Sequence, residues 1–212
     1  MEPSDDSQKQ KKAVISLAND SQAIELRPGE AIRLPDTEAQ HRLIGLRIRS
    51  GIGRLSADCQ NLWPDVTLAF CGRADQEWIS TDQVGALQLE ALTPLKVHLN
   101  VESRLVSGAD LISEWLVIMH LVRHHLMAEK RFHSLLKVLI TQFGVRVPRG
   151  YRLPFSLGHS RVAELIGVTR STATRQFTLL RRESLLFTDR DGTLMAMPEL
   201  IEGSDFGSLY DD

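Results

Sequence analysis

The chain of 212 residues is long enough for one large or two modest domains, each with its own core, and its 25 basic and 27 acidic side chains nearly cancel at −2. Two cysteines, Cys59 and Cys71, cannot ligate an iron–sulfur cluster from one chain, and without an export signal they read as reduced thiols. Residues 1–12 are polar, and the longest strongly apolar stretch, residues 115–122, is broken by His120 and too short for a bilayer, so a cytoplasmic protein with no membrane partner is expected.

Residues 1–12 read as a disordered arm. From 13 to 108, short runs with strand character follow one another: Ala13-Val14-Ile15-Ser16-Leu17, Ile24-Glu25-Leu26, residues 43–48, Val66-Thr67-Leu68-Ala69-Phe70 and Leu95-Lys96-Val97-His98-Leu99. Breakers such as Arg27-Pro28-Gly29-Glu30 and Ser50-Gly51-Ile52-Gly53 separate them. Residues 43–49 partly alternate between apolar and other side chains, as a strand with one buried face does. Many short strands with regular turn signals predict a small antiparallel barrel or roll.

The period changes over residues 109–127, which read as one helix. Ile112, Trp115, Met119, Val122 and Leu126 are spaced 3, 4, 3 and 4, a seam suited to a partner helix. Leu111, Ile118 and Leu121 form a second stripe that can pack on the roll. A helix apolar on two sides needs two covers, and burial inside one chain is the alternative to a dimer. His120 and His124, four apart, have a zinc-compatible spacing, with His125 and His133 nearby. No Cys or acid completes a four-ligand set, so no metal site is assigned. Residues 132–143 read as another helix ended by Gly144, and Arg146-Val147-Pro148-Arg149-Gly150-Tyr151-Arg152 as a Pro/Gly break.

Residues 161–166 followed by 167–175 read as helix, tight turn, helix. Gly167 can take the left-handed conformation that ends the first helix, and Thr169 can cap the second. Ala173, Phe177 and Leu180 then share a buried stripe, which turns Arg170, Ser171, Thr174 and Arg175 outward. That arrangement suits a DNA major groove. Residues 185–188 and 194–197, joined across Asp191-Gly192, read as a β-hairpin, the wing of a winged helix-turn-helix. Residues 144–200 hold nine Arg and no Lys against five acids, a balance of +4, where phosphate binding requires it. An acidic tail, residues 199–212, closes the chain. Arg170 and Arg175 are assigned to guanines, each good bidentate contact discriminating by ~1–3 kcal/mol. Ser171 reads a base less sharply, while Thr169, Thr174, Thr178 and Ser160 are phosphate or base-edge candidates. Arg181, Arg182 and Arg190 read as solvated charges.

On residues 167–175, with Leu157, His159, Ala163 and Leu165 before them and Leu179-Leu180 after, the chain from about residue 87 to 197 resembles the CRP/FNR transcription regulators, most closely their cyanobacterial nitrogen-regulator branch. Ala91-Leu92-Thr93-Pro94-Leu95 resembles the step that closes that family's sensor roll, and residues 131–136 the start of the helix that opens its DNA-binding domain. The resemblance implies an α+β chain: an N-terminal antiparallel β-roll like a cyclic-nucleotide-binding domain (13–108), a long dimerisation helix (109–127) and a winged helix-turn-helix (128–198). It implies a homodimer on palindromic double-stranded DNA, with RNA polymerase as a further partner, and no enzyme activity. It favours a parallel dimer seam through Ile112, Trp115, Met119, Val122 and Leu126. Where the family often places a capping Asp between dimer helix and DNA domain, this chain has Met127.

The phosphate cassette of the family's cyclic-nucleotide binders is missing from residues 50–90. Arg73-Ala74-Asp75 lies near the expected place, but Asp75-Gln76-Glu77-Trp78 replaces the glycine-rich approach, and Gly29-Glu30 comes too early. Cyclic AMP is therefore not expected, and no cofactor is assigned. The branch implies 2-oxoglutarate as ligand, with Arg123 as the candidate partner of a carboxylate. The alternative function is a protein-interaction partner of another regulator or of polymerase that does not read DNA. An enzyme comes third, since no phosphate loop or nucleophile elbow is present.

Overall fold

The computed structural model describes residues 13–14, 21–34, 43–59, 63–72, 76–80, 86–102 and 110–202. The predicted arm, residues 15–17, Arg73-Ala74-Asp75 and residues 203–212 of the tail lie outside the described residues. The chain divides into two compact units, residues 1–112 and 113–212.

The first unit is built from β1 (Ala13–Val14), β2 (Ser21–Leu26), β3 (Ala31–Arg33), β4 (Leu43–Ser50), β5 (Gly53–Cys59), β6 (Trp63–Cys71), β7 (Gln76–Ser80), β8 (Ala86–Ala91) and β9 (Leu95–Glu102). They form two sheets, ordered β1-β3-β8-β5-β6 and β2-β9-β4-β7. The pairings are antiparallel, with β1 on β3 the parallel exception. Side chains alternate along β8 and β9, putting Leu87, Leu89, Leu95, Val97 and Leu99 into the core with Ile44, Leu46 and Leu55.

Three of the places where the chain steps from one sheet to the other, between β2 and β3, β4 and β5, and β8 and β9, come together. Backbone bonds knit these three steps together: Gly29 N–H donates to Ala91 O (2.8 Å), Ala91 N–H to Glu30 O (2.9 Å) and Leu92 N–H to Ile52 O (2.9 Å). Thr93 Oγ1 accepts from Ile52 N–H at 2.8 Å, which gives the Thr-Pro step a structural task. Gly51, at φ +90°, permits the approach, because a Cβ there would lie 2.1 Å from the Pro94 carbonyl oxygen.

The second unit takes in α1 (Leu111–His124) from Ser113 onward, then α2 (Ala128–Phe143), β10 (Val145–Val147), β11 (Gly150–Ser156), α3 (His159–Ile166), α4 (Arg170–Arg182), β12 (Leu186–Thr188), β13 (Thr193–Ala196) and α5 (Pro198–Glu202). Its sheet is antiparallel, ordered β10-β11-β13-β12. Phe132, Leu135, Leu136 and Leu139 of α2 are fully buried, and Phe132 meets Phe177 of α4 at 4.7 Å between ring centroids.

Three expectations are corrected here. Residues 146–152 are no mere break: Pro148-Arg149 turns the chain between β10 and β11, which extend the wing sheet. The acidic tail does not begin at 199, since Leu200 and Ile201 of α5 are buried. The α1 stripe assigned to a partner helix is covered by the chain itself, and of the second stripe Leu111 is buried, Ile118 half-buried and only Leu121 exposed. Ile112, Trp115, Met119 and Val122 are buried within the single chain, Trp115 stacking on Phe143 at 6.2 Å. Burying each such side chain contributes about 1.5–3 kcal/mol, which favours spending the stripe with the largest side chain on the chain's own interior. Leu116, Val117 and Leu121 remain more than half exposed, and Leu126 lies beyond the end of α1 with its side chain in solvent.

Candidate nucleic-acid interface

The turn between α3 and α4 is made as its residues dictate. Gly167 closes α3 at φ 66°, ψ 47°, its N–H directed to the Ala163 and Glu164 carbonyls, and Val168 N–H donates to Ala163 O at 3.0 Å. Thr169 holds an extended backbone, and its Oγ1 accepts from Thr172 N–H at 3.2 Å, filling the N-cap of α4. The Ser171 and Thr172 hydroxyls each lie 2.9 Å from the same oxygen.

Two arginines from outside the motif hold the end of α3. Arg123 donates through Nε to Leu165 O (2.8 Å) and through Nη2 to Glu164 O (3.0 Å). Arg131 donates through Nη1 to Ile166 O (3.3 Å) and through Nε to His125 O (2.6 Å). The last carbonyls of a helix lack partners within it and carry the negative end of its dipole, so cationic donors stabilise them. Met127 is the N-cap of α2 and makes no side-chain cap bond. Arg131 on that helix supplies a tie to the preceding chain instead.

Along α4, Ala173, Gln176, Phe177 and Leu180 are buried. At 100° per residue, the direction opposite them is a line through Ser171, Arg175, Thr178 and Arg182, all exposed. Arg170 is exposed at the first turn. The guanidinium groups of Arg170, Arg175 and Arg182 have no hydrogen-bond or ion-pair partner among the described residues, so their donors face solvent. Thr174 is half-buried: its Oγ1 donates to Arg170 O (2.9 Å) and lies 3.0 Å from His159 Nδ1. Thr178 Oγ1 donates to Thr174 O at 3.0 Å. Ser160 is exposed in the first turn of α3, whose N-cap is Gly158 with no side-chain bond. The His159 ring stacks on Phe177 at 4.3 Å, and burial, with Arg181 and Arg170 adding to it, pushes its pKa down.

The wing is a hairpin of β12 and β13. Asp189 N–H donates to Thr193 O and Gly192 N–H to Asp189 O, with Gly192 at φ +76°. Arg181 ties α4 to this hairpin, donating to Thr188 Oγ1 at 2.8 Å while lying over the Phe177 ring. Not all of the unit's arginines are free for a ligand. Arg161 pairs with Glu164 at 2.6 Å, and Arg146 reaches Tyr151 OH at 2.8 Å, whose pKa is raised by its bond to Glu202.

The structure thus brings Thr169, Arg170, Ser171, Thr174, Arg175 and Thr178 onto one capped helix. It ties the exposed Arg181 to the wing and extends the outward line to Arg182. The helical period that marked Arg175 could have marked Arg182 as well, since it lies two turns further on. Arg131 was invisible, because its role depends on where α3 ends in space. Arg123, the candidate for an effector carboxylate, is engaged on α3. No cluster of three or more His, Cys, Asp or Glu suited to a metal occurs among the described residues, and no helix there is long and apolar enough to cross a membrane.

No family model matches the chain. Over 56 residues it is 41% identical to the global nitrogen regulator of Synechocystis sp. (strain ATCC 27184 / PCC 6803 / Kazusa), a stretch covering 26% of this chain and only a quarter of that protein. Among solved structures it is similar to a CRP-family transcriptional regulator from Thermus thermophilus, at 18% identity and a TM-score of 0.59, over 85% of this chain and 97% of that one. It is also similar to FixK2 from Bradyrhizobium japonicum, at 16% identity and a TM-score of 0.61, over 83% and 92% of the two chains. A second Thermus thermophilus regulator, of the CRP/FNR family, matches at 19% identity and a TM-score of 0.58, over 85% and 98%. The chain has the fold of the CRP/FNR regulators: mixed helix and strand, with a β-roll and a helix-turn-helix.

Proposed function

We propose that this chain is a sequence-specific DNA-binding transcription regulator, working in the cytoplasm as a homodimer on a palindromic site. The observation that carries the reading is the capped helix α4, which presents Ser171, Arg175, Thr178 and Arg182 along one outward line beside a wing. Arg175 and Arg170 pair with guanine edges in the major groove, and Ser171 contacts a neighbouring base edge. Thr169, Thr174, Thr178 and Ser160 hold phosphates or base edges, and the exposed first turn of α3 adds backbone donors toward a phosphate.

A second copy packs on the uncovered face of α1, through Leu116, Val117 and Leu121. Two copies set their recognition helices about 34–36 Å apart, in successive major grooves. Contact with RNA polymerase from that position then sets activation or repression. No effector is assigned: Arg123, the candidate partner for a carboxylate of 2-oxoglutarate, has a structural use for its donors.

The test is selection of bound fragments from random DNA, followed by competition gel shift. Arg175→Ala is expected to weaken binding to the selected site by about 1–3 kcal/mol, roughly 5- to 150-fold, with mass and circular dichroism unchanged. Unchanged affinity for that site would remove Arg175 from the interface, and recovery of no defined sequence would remove the function.

A further inference from the structure

His120 and His124 stand on the uncovered side of α1. Both are exposed, their ring centroids are 6.5 Å apart, and neither has a hydrogen-bond or ion-pair partner among the described residues. With Ser113 and Val117 they complete the spacing 113-117-120-124, in steps of 4, 3 and 4. That line runs down the centre of the exposed face, with Leu116 on one flank and Leu121 on the other. The buried stripe of Ile112, Trp115, Met119 and Val122 lies on the far side of the helix.

Within one chain the pair is only half a site, since no third metal-binding group accompanies it among the described residues. Two-fold symmetry changes that count. When two α1 helices run parallel about an axis, identical residues meet at equal height, so His120 and His124 of one copy face the partner's His120 and His124. An antiparallel pair would set them against residues near the helix start instead. Two imidazoles four residues apart can turn toward one ion, and two such pairs supply four nitrogens at the 2.0–2.1 Å reach of a tetrahedral Zn²⁺. Imidazole suits zinc-class ions, whereas Mg²⁺ and Ca²⁺ take oxygen ligands.

We propose that the α1 faces of two copies together form a four-histidine site for a zinc-class divalent cation, linking its supply to assembly of the DNA-reading pair. The proposal rests on the homodimer reading above. Polar rings in the middle of a short apolar seam weaken it when the ion is absent, and ligation turns the same rings into a cross-link. The ion binds the paired state alone, so it strengthens assembly by mass action.

The experiment uses tag-free full-length protein stripped with EDTA, followed by sedimentation velocity and native mass spectrometry as ZnCl₂ is added, with MgCl₂ as control. One Zn²⁺ per two chains is expected, with the dimer dissociation constant falling about tenfold or more. His120→Ala and His124→Ala are each expected to dimerise like the stripped protein and to lose the response to zinc. Leu121→Glu keeps both histidines but opposes two carboxylates across the seam, and it is expected to lose the one-per-two stoichiometry. Dimers that form equally well without zinc and retain none overturn the site and leave the homodimer reading standing. Chains monomeric with and without zinc overturn both. One ion per chain with no change in assembly overturns the shared site.

Discussion

Arg123 and Arg131 do for α3 what a capping side chain does at the other end of a helix. Both donate to terminal carbonyls, Arg123 to Glu164 and Leu165 and Arg131 to Ile166. Losing one such charged donor costs about 1–3 kcal/mol, less where solvent replaces it. Arg123→Ala is therefore expected to lower the denaturation midpoint of the ligand-free protein; a residue kept for an effector would leave that midpoint unchanged, and equal urea curves would restore the effector role. Gly167 acts at the same point through its backbone. A Cβ there has room, with Arg123 Cδ and Nε nearest at 3.9 and 3.8 Å, so Gly167→Ala meets torsional strain and not a clash. The expected loss is ~1 kcal/mol, measured by urea denaturation. Arg54 shows the opposite economy. Buried in β5, it pairs with Asp65 (2.7 Å) and Glu90 (2.5 Å) and donates to Thr67 Oγ1. Glu90 is the more enclosed acid, and Asp65 is half exposed, so Glu90→Gln is expected to destabilise the roll more than Asp65→Asn. The reverse order in thermal melts would mean that the two carboxylates do not share the charge as their burial indicates.

The α1 stripes show where periodicity stops informing. The sequence marks a helix apolar on two sides, and the structure contains it, but nothing local says which side the chain covers itself. That choice depends on Phe143, twenty-eight residues from Trp115 in the chain and stacked flat against it. The helix-turn-helix was legible because its signals are local: a glycine at the turn, a threonine cap and an apolar period. The strands β5 and β11 were not. Residues 52–57 are all buried, and Arg54 and Ser56 interrupt the apolar alternation with polar groups. In β11, Pro154 and two flanking polar residues hide the inward pair Leu153 and Phe155. The assignment of faces in α1 is testable by one charge on each side. Leu121→Glu is expected to give a folded monomer, since its side chain is exposed in the single chain. Met119→Glu buries a carboxylate and is expected to unfold the second unit or reduce its midpoint sharply. Size-exclusion chromatography with circular dichroism distinguishes them; a dimeric Leu121→Glu protein would return the interface to another surface.

Across the chain, charge and titration are both unevenly shared between the units. The +4 balance of residues 144–200 sits in a protein of net charge −2, so attraction to phosphate is a property of one unit and not of the molecule. The same unit carries three histidines whose pKa values are depressed. Burial is the leading cause for His125, His133 and His159. For His125, Lys130 adds to the depression, with His124 and Arg131 behind it; for His159, Arg181 and Arg170 do. For His133, Glu129 and Glu183 oppose it without cancelling it, and its buried Nε2 has no hydrogen-bond partner among the described residues. A folded pKa below the ordinary 6.5 means that the unfolded chain binds more protons in the interval between the two values. Stability is therefore full above about pH 6.5 and declines as pH falls from there toward the folded values, below which the decline ends. Trp115 reports on this unit from its buried stack, once Trp63 and Trp78 are replaced by Phe. Urea midpoints followed by its fluorescence are expected to fall from pH 7.5 to 5.5. His133→Phe, which removes the orphaned nitrogen and its titration together, is expected to make that fall shallower. A midpoint that ignores pH across this interval, or a slope indifferent to His133, would show that these rings reach solvent before the unit unfolds.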